Sequence, residues 1–166
     1  KINEVLGNRV KENCAYENVY TLALRGLHDA AMGGGDVPMK EKVKMLENAL
    51  KDQRSLLTRH IDKPAETIPQ AFTPYKEVLE IYSNGLELPD DVTIIWADDN
   101  FGYMKRLSGP QEQKRTGRAG VYYHISYLGV PHSYLWFSTT PPALMYEELR
   151  KAYDTTDRKS TRLNSS

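Results

Sequence analysis

A single cysteine, Cys14, is the only thiol in the 166 residues, which excludes an internal disulfide framework and leaves no zinc cluster that cysteine alone could build. Long apolar runs are missing too. Nothing approaches the roughly eighteen consecutive apolar residues that a membrane helix needs, so no membrane partner is expected. Nor is there an excess of either charge: 22 Lys and Arg stand against 22 Asp and Glu, which removes the electrostatic case for nucleic acid or an anionic surface. No Gly-x-Gly-x-x-Gly loop is present to support a dinucleotide-binding sheet. The run Gly33-Gly34-Gly35 lacks the Lys-Ser/Thr of a phosphate loop and reads as a flexible loop. What remains, 40% hydrophobic and 27% charged residues, is the balance of a globular protein whose substrate must be recognised locally.

Both ends carry expectations of their own. The first residue is Lys1 rather than Met and no charged-then-apolar signal segment follows, so the native amino terminus is expected upstream and this end says nothing about compartment. At the other end, residues 157–166 back-translate codon by codon to a common short-read sequencing adapter, and are expected not to be native. Without their net charge of +2, residues 1–156 carry a net −2.

Helical and extended patterns alternate along the chain. Ile2, Val5, Leu6, Val10 and Cys14 fall near one face of a helix, and Val19 to Leu24 has the composition of a buried strand. Val43, Leu46, Leu50, Leu57 and Ile61 keep the three-and-four spacing of a long helix that Pro64 stops. Ile68 to Thr73 is a short strand despite Pro69, and a helix from about Lys76 to Ser83 is closed by Asn84-Gly85. Val92 to Ala97 is the clearest strand. Another is expected around Gly120 to Ser126, then a weaker apolar run, Tyr134 to Phe137, and a last helix from Ala143 to Tyr153 after Pro141-Pro142.

Strands without clean in-out alternation, separated by helices, predict an α/β fold with a parallel sheet covered on both sides. The polar residues choose the variety. Arg25, His28 and Asp29 follow the first strand, Glu77 the second, and Asp98, Asp99 and Asn100 the third; His124 and Tyr127 end the fourth. Polar groups at the carboxyl ends of successive strands are the habit of a (β/α) barrel. About four βα units fit, whereas a whole TIM-type barrel takes roughly 250 residues, so residues 1–156 are expected to form an incomplete one.

The strand-end group offers carboxylates, an arginine, histidines and tyrosines, which suits protonating a leaving oxygen, activating water and holding a polyhydroxylated ring. Tyr75, Tyr103, Tyr122, Tyr127 and Trp136 are candidates to stack on sugar faces, although strand-end tyrosines commonly fill space between barrel and helices. Asp98-Asp99-Asn100 is equally a helix-capping sequence. His60, with Arg59 near a helix end, reads as structural, and His132 stays undecided. A metal-dependent hydrolase using His28, Asp29, Asp98, Asp99 and His124 is the main rival, against which stands the lack of a His-x-His pair. A non-catalytic sugar-binding scaffold is the third reading.

Several blocks together, in order, resemble glycoside hydrolase family 115: Leu24 to Asp29, Tyr75 to Val78, Trp96 to Tyr103, Gly120 to Tyr127, Pro131 to Trp136 and Ser138 to Leu144. The resemblance implies a multidomain inverting enzyme with a (β/α) barrel that removes α-1,2-linked glucuronic acid, or its 4-O-methyl form, from glucuronoxylan or aldouronic oligosaccharides. It implies no cofactor and no metal, and its substrate class implies a secreted or periplasmic setting. Carried over by position, Asp29 and Glu77 match the catalytic carboxylates, and Arg25, Tyr122, His124 and Tyr127 match residues around the bound uronate. His28, Asp98 and Asp99 join them as substrate-binding candidates from their strand-end positions. The isolated 166-residue piece is expected to be poorly folded and inactive, since an open part-barrel leaves strand edges unpaired.

Overall fold

The computed structural model describes residues 2–26, 30–33, 36–99, 101–125 and 140–155. The chain divides into two compact units, Lys1–Val92 and Thr93–Ser166.

In the first unit, α1 (Ile2–Asn13) and β1 (Tyr20–Leu22) precede α2 (Met39–Ile61), β2 (Gln70–Phe72) and α3 (Glu77–Ser83). β1 and β2 pair in parallel with Tyr20 opposite Gln70 and Leu22 opposite Phe72. All three residues of β2 are buried, as expected for a strand covered on both faces. Leu46, Leu50 and Leu57 of α2 close over Leu22 and Phe72, and Val78 and Ile81 of α3 join the same core. The long helix ends as its sequence demands: Asp62 turns left-handed at φ 57° and returns its N–H to Thr58, two residues before Pro64.

The apolar stripe of α1 is only partly used. Val10 is buried, whereas Ile2 and Val5 are 76% and 58% exposed. The helix instead meets α2 through Gly7, where a β-carbon would stand 2.6 Å from Nε2 of His60; the expected structural role of His60 is thus a close helix contact. Just past β1, the Gln53 side chain accepts from the Ala23 N–H at 3.0 Å and donates to the Ala23 carbonyl at 2.6 Å, satisfying the backbone where a neighbouring strand would otherwise do so.

Arg54 ties three segments of this unit together. It forks onto Asp91 at 2.7 and 3.0 Å and donates to Gln70 at 3.0 Å, while the Gln70 amide donates to the carbonyls of Ala65 and Ile68. Both charged side chains are mostly covered, at 15% and 19% exposure. Arg54→Ala leaves Asp91 and Gln70 short of partners in a shielded place, and the expected loss is about 2–3 kcal/mol. A denaturation midpoint unchanged by the substitution would show that water replaces the guanidinium without cost.

In the second unit, β3 (Thr93–Ala97) and β4 (Ala119–Tyr122) form a parallel pair, with Trp96 opposite Val121 and Ala97 opposite Tyr122. Trp96 is buried, donates from Nε1 to Ser108 Oγ at 2.8 Å, and carries the Arg106 guanidinium over its ring. Helix α4 (Pro142–Thr155) starts at the second proline of Pro141-Pro142, a position where the missing N–H costs nothing. The architecture is α/β with parallel strands, as the sequence predicts. The apolar run Tyr134 to Phe137 lies outside the described residues.

Candidate active site

In the first unit, the chain beyond β1 delivers Arg25 and the chain beyond β2 delivers Glu77, the first residue of α3. They meet across 52 residues of sequence. Arg25 Nε donates to Glu77 Oε1 at 2.9 Å and Nη2 to Oε2 at 3.0 Å, so the carboxylate is gripped at both oxygens along one edge of the guanidinium. Each side chain is 22% exposed. The Arg25 guanidinium and the Lys76 ammonium both approach the Tyr75 ring, with 5.9 and 5.3 Å to its centroid. Lys76 itself has φ 50°, an unfavourable backbone for a residue with a β-carbon, and this bend turns the chain from β2 into α3 to set Glu77 in place. His28 and Asp29 lie outside the described residues.

In the second unit, Asp98 directly follows β3 and its side chain is fully covered. Its carboxylate accepts the backbone N–H of His124 at 3.0 and 3.2 Å and also meets Nδ1 of the His124 ring. The β3–β4 register, which sets Ala97 beside Tyr122, brings these groups together. Burial acts most strongly on the Asp98 carboxyl and raises it above the ordinary carboxylate range, against the opposing pull of the His124 hydrogen bonds. The Tyr122 ring meets the imidazole edge-on, 4.7 Å between centroids. Tyr127 lies outside the described residues.

With Asp98 ionised, its oxygens only accept, so Nδ1 of His124 carries a proton and Nε2 is the nitrogen turned from the carboxylate. Asp98→Asn accepts through one atom and donates through the other. With its oxygen at the Oδ2 place it keeps the closer bond from the His124 N–H, at 3.0 Å, and turns its amide toward Nδ1; the reverse orientation sets the amide against that N–H, donor facing donor. The expected result is a folded protein whose His124 proton has moved to Nε2, read from the nitrogen-15 shifts of the labelled ring. An unchanged tautomer would show that Asp98 does not set it.

Asp99 does something different from its neighbour. The helix-capping reading of this sequence does not hold, because among the described residues no helix starts here and Asp99 ties down its own loop instead: Oδ1 accepts from the N–H groups of Phe101 and Tyr103 at 2.8 and 3.0 Å, and Oδ2 pairs with Lys105 at 2.9 Å. Burial works to raise this carboxyl, but the bonds from Lys105, Tyr103 and Phe101 outweigh it and hold it below the ordinary range. A depressed group contributes stability in full above its ordinary pKa and loses it as the pH falls through the depressed folded value, so this loop holds through neutral and mildly acidic conditions. Asn100 lies outside the described residues.

Two partners of this loop were not among the residues that the sequence singles out. Glu148 of α4 is buried and accepts the Met104 N–H at 3.0 Å; Tyr123 donates its hydroxyl to the Gly102 carbonyl at 2.8 Å. Helical periodicity places Glu148 one turn after Leu144, which is the only hint that it faces inward. Among the described residues, no group of three or more His, Cys, Asp or Glu side chains is arranged to hold a metal ion.

The sequence profile of Glycosyl hydrolase family 115 matches residues 1–166. A solved family GH115 4-O-methyl-α-glucuronidase with specificity for decorated arabinogalactans is similar in sequence and structure: 43% identity and a TM-score of 0.87 over 96% of this chain. The match covers 21% of that protein, so this chain spans about a fifth of its length. No curated protein matches the chain.

Proposed function

The chain belongs to glycoside hydrolase family 115, and from that premise we propose that the full-length protein removes α-1,2-linked (4-O-methyl)glucuronic acid from xylan with inversion at the anomeric carbon. The observation that carries the reading is the Arg25–Glu77 fork, a carboxylate set at a strand end with its direction fixed by an arginine. Residues 1–156 are then part of a (β/α) barrel, whose chemistry gathers at the carboxyl ends of its strands.

Inversion needs two carboxyl groups, one to protonate the departing oxygen and one to activate water on the opposite face of the sugar. Asp29 and Glu77 are the proposed pair. Arg25 reads the uronate carboxylate, and His124, Tyr122 and Tyr127 line the bound ring, with His28 and Asp99 near them. Asp98 acts by holding His124, since its own carboxylate is already covered.

A second polymer has a specific observation behind it, because the similar solved enzyme is specific for decorated arabinogalactans. The test incubates the full-length enzyme with glucuronoxylan and, separately, with an arabinogalactan bearing glucuronic acid, and measures the free acid by anion-exchange chromatography. Release from xylan is expected. Release from arabinogalactan alone moves the substrate to that polymer, and binding without release from either would make the protein a sugar-binding scaffold.

A further inference from the structure

The segment after Asp98 is held unusually firmly for a short loop. Asp98 pairs with Met104 as an antiparallel bridge, Asp99 donates its N–H to the Tyr103 carbonyl at 2.8 Å, and Gly102 returns its N–H to the Asp99 carbonyl at 3.3 Å. The Asp99 side chain, the Tyr123 hydroxyl and the Glu148 carboxylate add the ties described above. Gly102 sits at φ 87°, and a β-carbon there would stand 2.7 Å from the Tyr123 hydroxyl and 2.8 Å from a Thr140 methyl. The loop is therefore pressed against its support at Gly102.

Yet the residues on either side of Gly102 are left uncovered by this chain. Phe101 is 65% exposed and Tyr103 53% exposed. Their backbone N–H groups are the two that Asp99 Oδ1 accepts, so one carboxylate oxygen fixes the stems of both aromatic residues. A fixed backbone under exposed rings lowers the ordering cost of binding, because less freedom is left to lose when a ligand lands.

From this we infer that Phe101 and Tyr103 form a platform for the main-chain pyranose rings that flank the sugar bearing the uronate, on the leaving-group side of the bond that is cut. An enzyme that removes a side group has to accommodate the sugars carrying it. Pyranoses present apolar C–H faces with hydroxyls at the rim, which suits aromatic rings bordered by polar groups, here the 60% exposed Lys105 paired with Asp99. The loop also leaves β3 directly after the Asp98 that holds His124, so the platform adjoins the residues of this unit proposed to line the bound uronate. The inference rests on the proposed hydrolase reading and extends it to the polymer.

The test uses the full-length enzyme and its Phe101→Ala/Tyr103→Ala double variant. Two substrates are compared: aldobiouronic acid, in which the uronate carries one xylose, and the decorated polymer. The double variant is expected to raise KM on the polymer about tenfold with kcat within about twofold, and to leave kcat/KM on aldobiouronic acid within about twofold. A Phe101→Tyr/Tyr103→Phe variant, which keeps both rings, should behave as the parent. Equal losses on both substrates, or none on the polymer, would overturn the platform. Calorimetry with undecorated xylohexaose and a galactan hexasaccharide separates this idea from the hydrolase reading. Binding of one of them that weakens in the double variant, from an enzyme that releases no uronate, would uphold the platform and sink the hydrolase; no binding of either by the parent would overturn the platform alone.

Discussion

Glu77→Gln in the full-length enzyme is expected to stay folded and to lose a hundredfold or more in kcat, on the order of what acid or base catalysis contributes. The amide has nearly the shape of the carboxylate but cannot exchange the proton that the reaction requires. One of its atoms can still accept from Arg25, so the first unit keeps its strand-end contact in weakened form. Asp29→Asn should lose a comparable amount, because the inverting scheme needs both groups. Rates on glucuronoxylan under saturating substrate, with thermal unfolding measured in parallel, check both. If either variant keeps near-parental turnover, the catalytic pair lies elsewhere.

Arg25→Gln carries the second large effect, and here the structure sharpens the question. A uronate entering a partly covered pocket needs a fixed cation, which a guanidinium supplies in planar, two-pronged form. Arg25 is fixed, but by Glu77, which occupies Nε and Nη2. Removing it therefore releases Glu77 as well as any hold on the substrate. If Arg25 reads the uronate, efficiency on the glucuronoside should fall about tenfold to a hundredfold further than on the same substrate with its carboxylate esterified, as a charged hydrogen bond to the uronate implies. Proportional losses on the two would mean that Arg25 serves only to orient Glu77.

Helices and strands were legible because their signals are local. The leucine spacing of α2, the stop at Pro64 and the prolines at the start of α4 each act within a few residues, and the bounds fall close to where the pattern places them. α1 shows the weakness of the same signal. Its apolar stripe is real, but what covers a stripe is decided by neighbours, and among the described residues the contact runs through Gly7 and Val10.

Residue types at strand ends were legible, and their pairings were not. Arg25 meets Glu77 across 52 residues and Asp98 meets His124 across 26, distances bridged by strand register that no local pattern encodes. Asp98 and Asp99 look equivalent in the sequence. One step along the extended chain separates a buried carboxylate that orients a histidine from one that ties down a loop. Their separate jobs follow from what each meets just past β3, His124 for the first and its own loop for the second.

The central claim is that an inverting hydrolase releases the α-linked uronate, and the most direct measurement follows the first turnovers of the full-length enzyme on glucuronoxylan by proton NMR. Water attacking from the face opposite the departing oxygen gives β-(4-O-methyl)glucuronic acid first, with the α-anomer growing in only as the free sugar mutarotates. That order is the expected result; the α-anomer appearing first, or no free uronate from a folded enzyme, would contradict the account.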